Sequence, residues 1–196
     1  MPIKYLSKIK PEKLSEKTCI LRTDFNVEPK YEHSSLRIDS TIPTIKFLLK
    51  NKARIILISH RGRPDKKGSN KNPKDFSLKP FINILKKRTD KDIHFISHCN
   101  IQELKDELGK AQEQIILIEN IRLYPEETKN NTEFGKTLAS LGNIYINDAF
   151  ANSHRDHASM TAITKHIPSY AGLILENEIK YLNQAMREHE KPLTII

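Results

Sequence analysis

Five short, widely separated runs of apolar and β-branched residues constrain the fold of this 196-residue chain more than any other feature of its sequence. Several runs are continuously apolar and lack the alternation that marks a strand with one face in water. Such runs are typical of strands buried on both faces of a parallel sheet. The predicted strands cover residues 18–22, 54–59, 93–96, 114–118 and 143–146. We therefore expect a parallel sheet that is covered on both sides.

Segments with helical spacing of apolar residues lie between and after these strands. Ile42 and Ile45, for example, fall on one face of a predicted helix. Ser77 is predicted to cap the start of one helix, and Gly109 and Gly142 are predicted to end two others. The predicted helices cover residues 42–51, 78–85, 101–108, 132–141, 159–166 and 176–189. This alternation predicts an α/β fold with a doubly wound parallel sheet and right-handed crossovers.

Four of the predicted strands run directly into clusters of polar and cationic residues. The clusters are residues 22–26, 59–64, 119–122 and 147–155. In an open parallel sheet, ligands bind outside the carboxyl ends of the strands, so clusters at four such ends converge on one small region. Histidines, arginines and amides gathered there predict a site for a small, strongly anionic molecule.

The first and third clusters each contribute polar side chains to this edge. Asp24 and Asn26 alternate with Phe25, so the carboxylate and the amide point the same way. An Asx turn that simply leaves the strand is the alternative. Arg122 alone would be an ordinary surface residue, and its interest comes from its position at the same edge of the sheet.

The second cluster gives the more specific signal. His60, Arg61 and Arg63 place three basic side chains at one strand end, where they repel one another unless an anion lies among them. Gly62 allows the backbone to approach a ligand closely, and the planar fork of arginine suits phosphate or carboxylate. The alternative is a loop whose arginines lie in water.

The fourth cluster contains a His-x-x-His pattern that could indicate a metal site. His154 and His157 have no clear third ligand nearby, and Arg155 between them would repel a cation. We therefore expect no metal here, and we expect His154 and Arg155 to bind an anion instead.

Composition separates the remaining classes of function only weakly. The formal net charge is +9, but most lysines are scattered or lie in loops, and the chain has no tryptophan on which bases could stack. A nucleic-acid partner is therefore not expected. No run approaches the roughly 20 apolar residues that span a bilayer, so no membrane partner is expected either. Two isolated cysteines and the lack of a secretion signal favour a cytoplasmic protein.

Taken together, these segments resemble the N-terminal domain of the phosphoglycerate kinase family. The matching stretches are residues 22–27, 36–38 with 42–45, 59–64, 77–80, 119–126 and 147–159, in the order and at the spacing of the family. The resemblance implies a Rossmann-like, three-layer αβα substrate-binding domain over residues 1–175. It implies an interdomain helix at 176–190, and it makes residues 191–196 the first strand of a C-terminal domain whose remainder is not in this sequence.

The resemblance also implies an activity, namely glycolytic phosphoryl transfer between 1,3-bisphosphoglycerate and ADP to give 3-phosphoglycerate and ATP. Asp24 and Asn26 would bind the hydroxyl and carboxylate end of the glycerate. Arg37 would lie nearest the acyl phosphate and stabilise the phosphoryl group in transfer, which makes it the expected catalytic residue. A basic patch would hold the carboxylate and phosphate of the substrate; its expected members are His60, Arg63, Arg122, His154 and Arg155.

The nucleotide would bind elsewhere. The resemblance assigns Mg-ATP and Mg-ADP to the C-terminal domain, so this chain is expected to hold no cofactor and to be inactive alone. The protein is also expected to be a monomer. Two local departures stand out: Arg61 replaces the usual leucine, and Ala151, Asn152 and Ser153 replace the usual Gly-Thr-Ala. Arg61 would make the patch more basic or point to solvent. A non-catalytic module that binds anions or nucleic acid is the alternative function.

Overall fold

The computed structural model describes residues 2–28, 36–64, 72–97 and 100–187. Its sheet has six parallel strands in the order β3-β4-β2-β1-β5-β6. The strands are β1 (Thr18–Arg22), β2 (Arg54–Ile58), β3 (Ile93–Ile96), β4 (Ile115–Ile118), β5 (Ile144–Asn147) and β6 (Ser169–Ala171). The predicted strand at 191–196 lies outside the described residues.

Helices connect these strands. They are α1 (Leu36–Lys50), α2 (Ile82–Thr89), α3 (Ile101–Lys110), the short α4 (Pro125–Thr128), α5 (Thr132–Ala139) and α6 (Leu173–Arg187). None of the described helices is long and apolar enough to cross a membrane.

Apolar side chains form one core on each face of the sheet. Successive residues of β1 enter opposite cores, with Leu21 in the first and Ile20 in the second, as the strand period of two requires. Helices α1 and α2 close the first core, whereas α3 and α5 close the second. The predicted three-layer α/β fold with a doubly wound parallel sheet is therefore confirmed, and all five predicted strands are found within one residue of their predicted bounds.

Several local predictions were wrong. Helix α2 begins at Ile82 with Phe81 as its N-cap residue, so Ser77 does not cap it. Strand β6 was missed, because its three residues are too few and too exposed to form an apolar run. Helix α3 continues through Gly109 and ends at Lys110. The helix predicted at 159–166 is a π-helical turn, Ala158–Ala162, followed by a 3-10 turn, Ile163–Lys165.

The π-helical turn has a specific cause. The carboxylate of Glu127 accepts a hydrogen bond from the backbone N–H of Ser159 at 2.8 Å, and the amide oxygen of Asn130 accepts from the N–H of Ala162 at 3.1 Å. The N–H of Ser159 lies in the first turn, where a helix leaves it without an intrahelical partner in any case. The N–H of Ala162 would otherwise bond to the carbonyl of Ala158, which here accepts from the N–H of Ile163 instead. The sequence periodicity alone gives no sign of this competition, since the partners lie 32 residues away.

Candidate active site

The four polar clusters follow β4, β2, β1 and β5, which are consecutive neighbours in the sheet. Backbone hydrogen bonds continue the ladder past the strand ends. The N–H groups of Thr23, Ile121 and Asp148 donate across to neighbouring segments at 2.9–3.0 Å. The clusters therefore lie side by side at the carboxyl edge of the sheet, where a doubly wound fold binds ligands.

Asp24 joins two of the predicted site residues. One carboxylate oxygen accepts from Arg37 Nη1 at 2.8 Å, and the other accepts from the backbone N–H of Asn26 at 3.0 Å. The second contact is the Asx turn that stood as an alternative for this motif, so the turn and the pairing with Arg37 occur together. The Arg37 side chain remains 49% exposed, which leaves it accessible to a ligand.

Gly62 links the first, second and third clusters. Its N–H donates to the side-chain oxygen of Asn26 at 2.8 Å, and its carbonyl accepts from Arg122 Nη1 at 2.8 Å. Its φ of 64° lies in the left-handed region, and a Cβ there would meet the ring of Phe76 at 2.4 Å. Only glycine fits this backbone position.

Asn120 fixes the position of Arg122. Its side-chain oxygen accepts from the backbone N–H of Arg122 at 3.1 Å, and its Nδ2 donates to the carbonyls of Arg61 and Phe76 at 2.7 and 3.0 Å. The Arg122 side chain is consequently held, largely buried, against the loop that carries His60 and Gly62.

Arg61 follows neither of the two expectations for it. Its side chain is only 12% exposed, so it does not extend into solvent. Its guanidinium donates to the carbonyl of Ser77 at 3.1 Å and to the carboxylate of Glu28 at 3.3 Å. Because a carboxylate meets this charge, Arg61 adds less to the basic patch than the sequence suggested.

His60 lies in a buried network that the sequence reasoning missed. Its Nδ1 is 3.1 Å from Nη2 of Arg22, and both residues are almost completely inaccessible to solvent. Burial, together with the charges of Arg22, Arg122 and Arg155 and the nearby His157, holds the pKa of His60 far below its usual value. The predicted basic patch therefore contains one histidine that is a neutral imidazole.

Arg22 is held from its other side by groups that were not singled out in the sequence. Its Nε donates to Oγ of Ser159 at 3.0 Å, and that hydroxyl lies 2.6 Å from a carboxylate oxygen of the buried Glu127. One signal for this network was visible: an arginine as the last residue of an otherwise apolar, buried strand requires buried partners.

Arg155, His154 and Arg63 complete the predicted set. Arg155 is half-buried, and His154 and Arg63 are exposed. Arg155 lies close enough to His60 to lower its pKa. Neither His154 nor Arg63 makes a hydrogen bond or ion pair with another described residue. Within the described ranges, no group of three or more His, Cys, Asp or Glu side chains could hold a metal ion.

Asp148, at the end of β5, connects this edge of the sheet to helix α6. Its Oδ1 accepts from the backbone N–H groups of Ile174 and Leu175 at 2.9 and 3.4 Å and so caps the first turn of the helix. Burial raises the pKa of Asp148 to about 6, although the hydroxyl of Thr44 and these two N–H groups oppose the rise. A small cavity of about 150 Å³ lies between Asp24, Arg37, Asp148 and the start of α6.

Comparison with known sequences gives a consistent result. The family model of phosphoglycerate kinase matches residues 9–196. A phosphoglycerate kinase of Wolbachia pipientis subsp. Culex pipiens (strain wPip) is 44% identical over 183 residues, which are 92% of this chain and 45% of that protein. The phosphoglycerate kinase of Coprothermobacter proteolyticus is 40% identical over 195 residues, 97% of this chain and 49% of that protein.

Comparison with solved structures agrees. The structure of phosphoglycerate kinase from Coxiella burnetii superposes with a TM-score of 0.81 and 34% sequence identity, over 97% of this chain and 47% of that chain. The enzyme from Pyrococcus horikoshii has the same TM-score at 23% identity, which supports the fold alone. The chain spans about half the length of the relatives it matches.

Proposed function

This chain belongs to the phosphoglycerate kinase family, and from that membership we propose that it is the acid-substrate half of an enzyme that transfers a phosphoryl group between 1,3-bisphosphoglycerate and ADP, giving 3-phosphoglycerate and ATP. The observation that carries the proposal is the meeting of four strand-end clusters at one edge, where Asp24 holds Arg37 and Gly62 joins Asn26 to Arg122. The comparisons give no support to the alternative of a non-catalytic nucleic-acid module.

Each side chain then has a role that suits its surroundings. Asp24 and Asn26 bind the hydroxyl and carboxylate end of the glycerate. Arg37 stabilises the phosphoryl group in transfer, and its half-exposed guanidinium is already oriented by a carboxylate at 2.8 Å. The carboxylate and phosphate of the substrate are held by the remaining members of the site, His60, Arg63, Arg122, His154 and Arg155.

The division of the chain follows the same proposal. Residues 1–175 form the substrate domain, 176–190 the interdomain helix and 191–196 the first strand of a second domain. The family uses ATP and ADP, and we assign the Mg²⁺-bound nucleotide to that second domain. Positioning and electrostatic stabilisation account for most of phosphoryl-transfer catalysis, so the second half must supply the nucleotide contacts. The enzyme is proposed to be monomeric and cytoplasmic.

Titration calorimetry with 3-phosphoglycerate tests the site assignment. Arg37→Ala and Arg63→Ala should each weaken binding roughly 10- to 100-fold, because each removes a charge-assisted hydrogen bond to an anionic oxygen. Arg88→Ala is the matched control, since Arg88 is also a half-exposed arginine paired with an aspartate, Asp39, at 2.7 Å.

Three results would contradict the proposal. Unchanged affinity in both Arg37→Ala and Arg63→Ala would remove these residues from the site. An equal loss of affinity in Arg88→Ala would mean that the effect comes from general surface charge. Specific binding of RNA or DNA at physiological salt, with no response to 3-phosphoglycerate, would favour the nucleic-acid module instead.

A further inference from the structure

Four buried side chains form a continuous line of contacts that ends at His60. The carboxylate of Glu127 contacts Ser159 Oγ at 2.6 Å, Ser159 Oγ contacts Arg22 Nε at 3.0 Å, and Arg22 Nη2 contacts Nδ1 of the imidazole at 3.1 Å. All four residues are at most 1% exposed. The line joins β1, the loop after β2, α4 and the π-helical turn, so residues far apart in sequence meet here.

The direction of each hydrogen bond follows from chemistry. Arginine can only donate, so Ser159 Oγ accepts from Arg22 Nε, and the hydroxyl proton is left to donate to Glu127. The backbone N–H of Ser159 donates to the second carboxylate oxygen at 2.8 Å. At the other end, Arg22 Nη2 donates to the imidazole, which therefore offers the lone pair of Nδ1.

A lone pair on Nδ1 leaves Nε2 as the protonated nitrogen of the ring. A second proton would place an imidazolium against an arginine that cannot accept a hydrogen bond, within a space that excludes water. The charged or titratable groups that act on His60 are Arg22 from β1, Arg122 from the segment after β4, and Arg155 and His157 from the segment after β5. Each of them disfavours a cationic ring.

We propose that Glu127, Ser159 and Arg22 are positioning residues that hold His60 as a neutral imidazole with its proton on Nε2, so that His60 serves the anion site as a hydrogen-bond donor and not as a cation. The part that concerns substrate affinity rests on the proposed function. The part that concerns the tautomer rests on the contacts alone.

Nuclear magnetic resonance of the 196-residue chain with isotope-labelled histidine tests the tautomer without any ligand. Proton–nitrogen correlation spectra should show His60, assigned by comparison with His60→Gln, as the Nε2–H tautomer from about pH 5 to about pH 8. Titration of this ring within that range, or a proton on Nδ1, would overturn the proposal. Apart from His60→Gln, which serves for the assignment, this measurement requires no variant, and in particular none of Glu127, Ser159 and Arg22, which we call the relay.

Ser159→Ala tests the relay itself. Without the hydroxyl, Arg22 Nε loses its acceptor and the guanidinium is free to turn towards Glu127, so the contact to Nδ1 should loosen. The spectrum of His60 should then show both tautomers, and affinity for 3-phosphoglycerate should fall about tenfold. Ser140→Ala removes an exposed serine hydroxyl at the end of α5 and should change neither.

The two proposals fail in different ways. An unaltered His60 spectrum and unaltered affinity in Ser159→Ala would overturn the relay and leave the function intact. No binding of 3-phosphoglycerate by the wild-type chain, with His60 still fixed as the Nε2–H tautomer and released in Ser159→Ala, would overturn the function and support the relay.

Discussion

The difference in free energy of unfolding between Asp148→Asn and the wild type should shift in favour of the variant as the pH rises from acidic to neutral. The asparagine amide would keep a side-chain oxygen for the N–H groups of Ile174 and Leu175, which Asp148 now caps. It would remove a carboxylate that is only 2% exposed. The cap is preserved while the buried charge is lost.

The pKa of Asp148 sets the magnitude. Burial raises it from 3.8 to about 6, so between these values the folded protein holds a proton that the unfolded chain has released. The stability of the wild type therefore falls as pH rises through this window and is constant above it. Each pKa unit corresponds to about 1.36 kcal/mol, so the full effect of the shift on the free energy of unfolding is about 3 kcal/mol. Of this, about 2 to 3 kcal/mol develops between pH 4 and pH 7.

Urea denaturation of both proteins at a series of pH values is the assay. The free energy of unfolding of Asp148→Asn minus that of the wild type should rise by about 2 to 3 kcal/mol from pH 4 to pH 7. All other titrating groups, His60 included, are common to both proteins and cancel. Asp90→Asn, which removes one exposed negative charge, is the control. A difference that does not change with pH would refute the assigned cost of burying Asp148.

Three further outcomes are expected. Gly172→Ala should lower the free energy of unfolding by at least about 2 kcal/mol, since a Cβ there would lie 2.3 Å from Oδ1 of Asp148 and displace the cap of α6. A loss below about 1 kcal/mol in urea denaturation would contradict this. Arg61→Leu should cost about 1 to 2 kcal/mol in the same assay and leave the affinity for 3-phosphoglycerate within about threefold in calorimetry, because Glu28 and Ser77 engage that side chain. The 196-residue chain should show no ATP synthesis in a coupled assay, and robust turnover would overturn the assignment of the nucleotide to the second domain.

The fold could be predicted from the sequence because burial on both faces leaves a local record. Runs such as Ile55–Ile58 have no polar residue to place in water, and only the interior of a covered sheet suits them. Strand β6 leaves no such record, since two of its three residues are half-exposed. The helix expected at 159–166 failed for a different reason, namely the capture of the Ala162 N–H group by Asn130.

The location of the candidate site could be predicted for a topological reason. Parallel strands end at the same edge, so residues following β1, β2, β4 and β5 must be neighbours whatever their side chains do. The charge state of those side chains could not be predicted in this way. It depends on partners such as Ser159, which lies 137 residues from Arg22, and no local pattern indicates which distant groups meet.

The basic residues of the candidate site consequently divide into two groups, according to whether their charge is met inside the protein. Arg22 reaches the buried carboxyl of Glu127 through the hydroxyl of Ser159, Arg61 is met by Glu28, and His60 is a neutral imidazole, so none of the three contributes a free positive charge to a ligand. Under the proposed function, the charge that meets the substrate comes from a second set, Arg37, Arg63, Arg122 and Arg155, with Arg37 partly offset by Asp24. A carboxylate with a phosphate, whose second pKa is near 6, carries about −2.5 to −3 at neutral pH. On the proposed assignment, this second set would match that charge without a large excess, because the other basic residues have partners within the fold or are neutral and the substrate would not have to neutralise them.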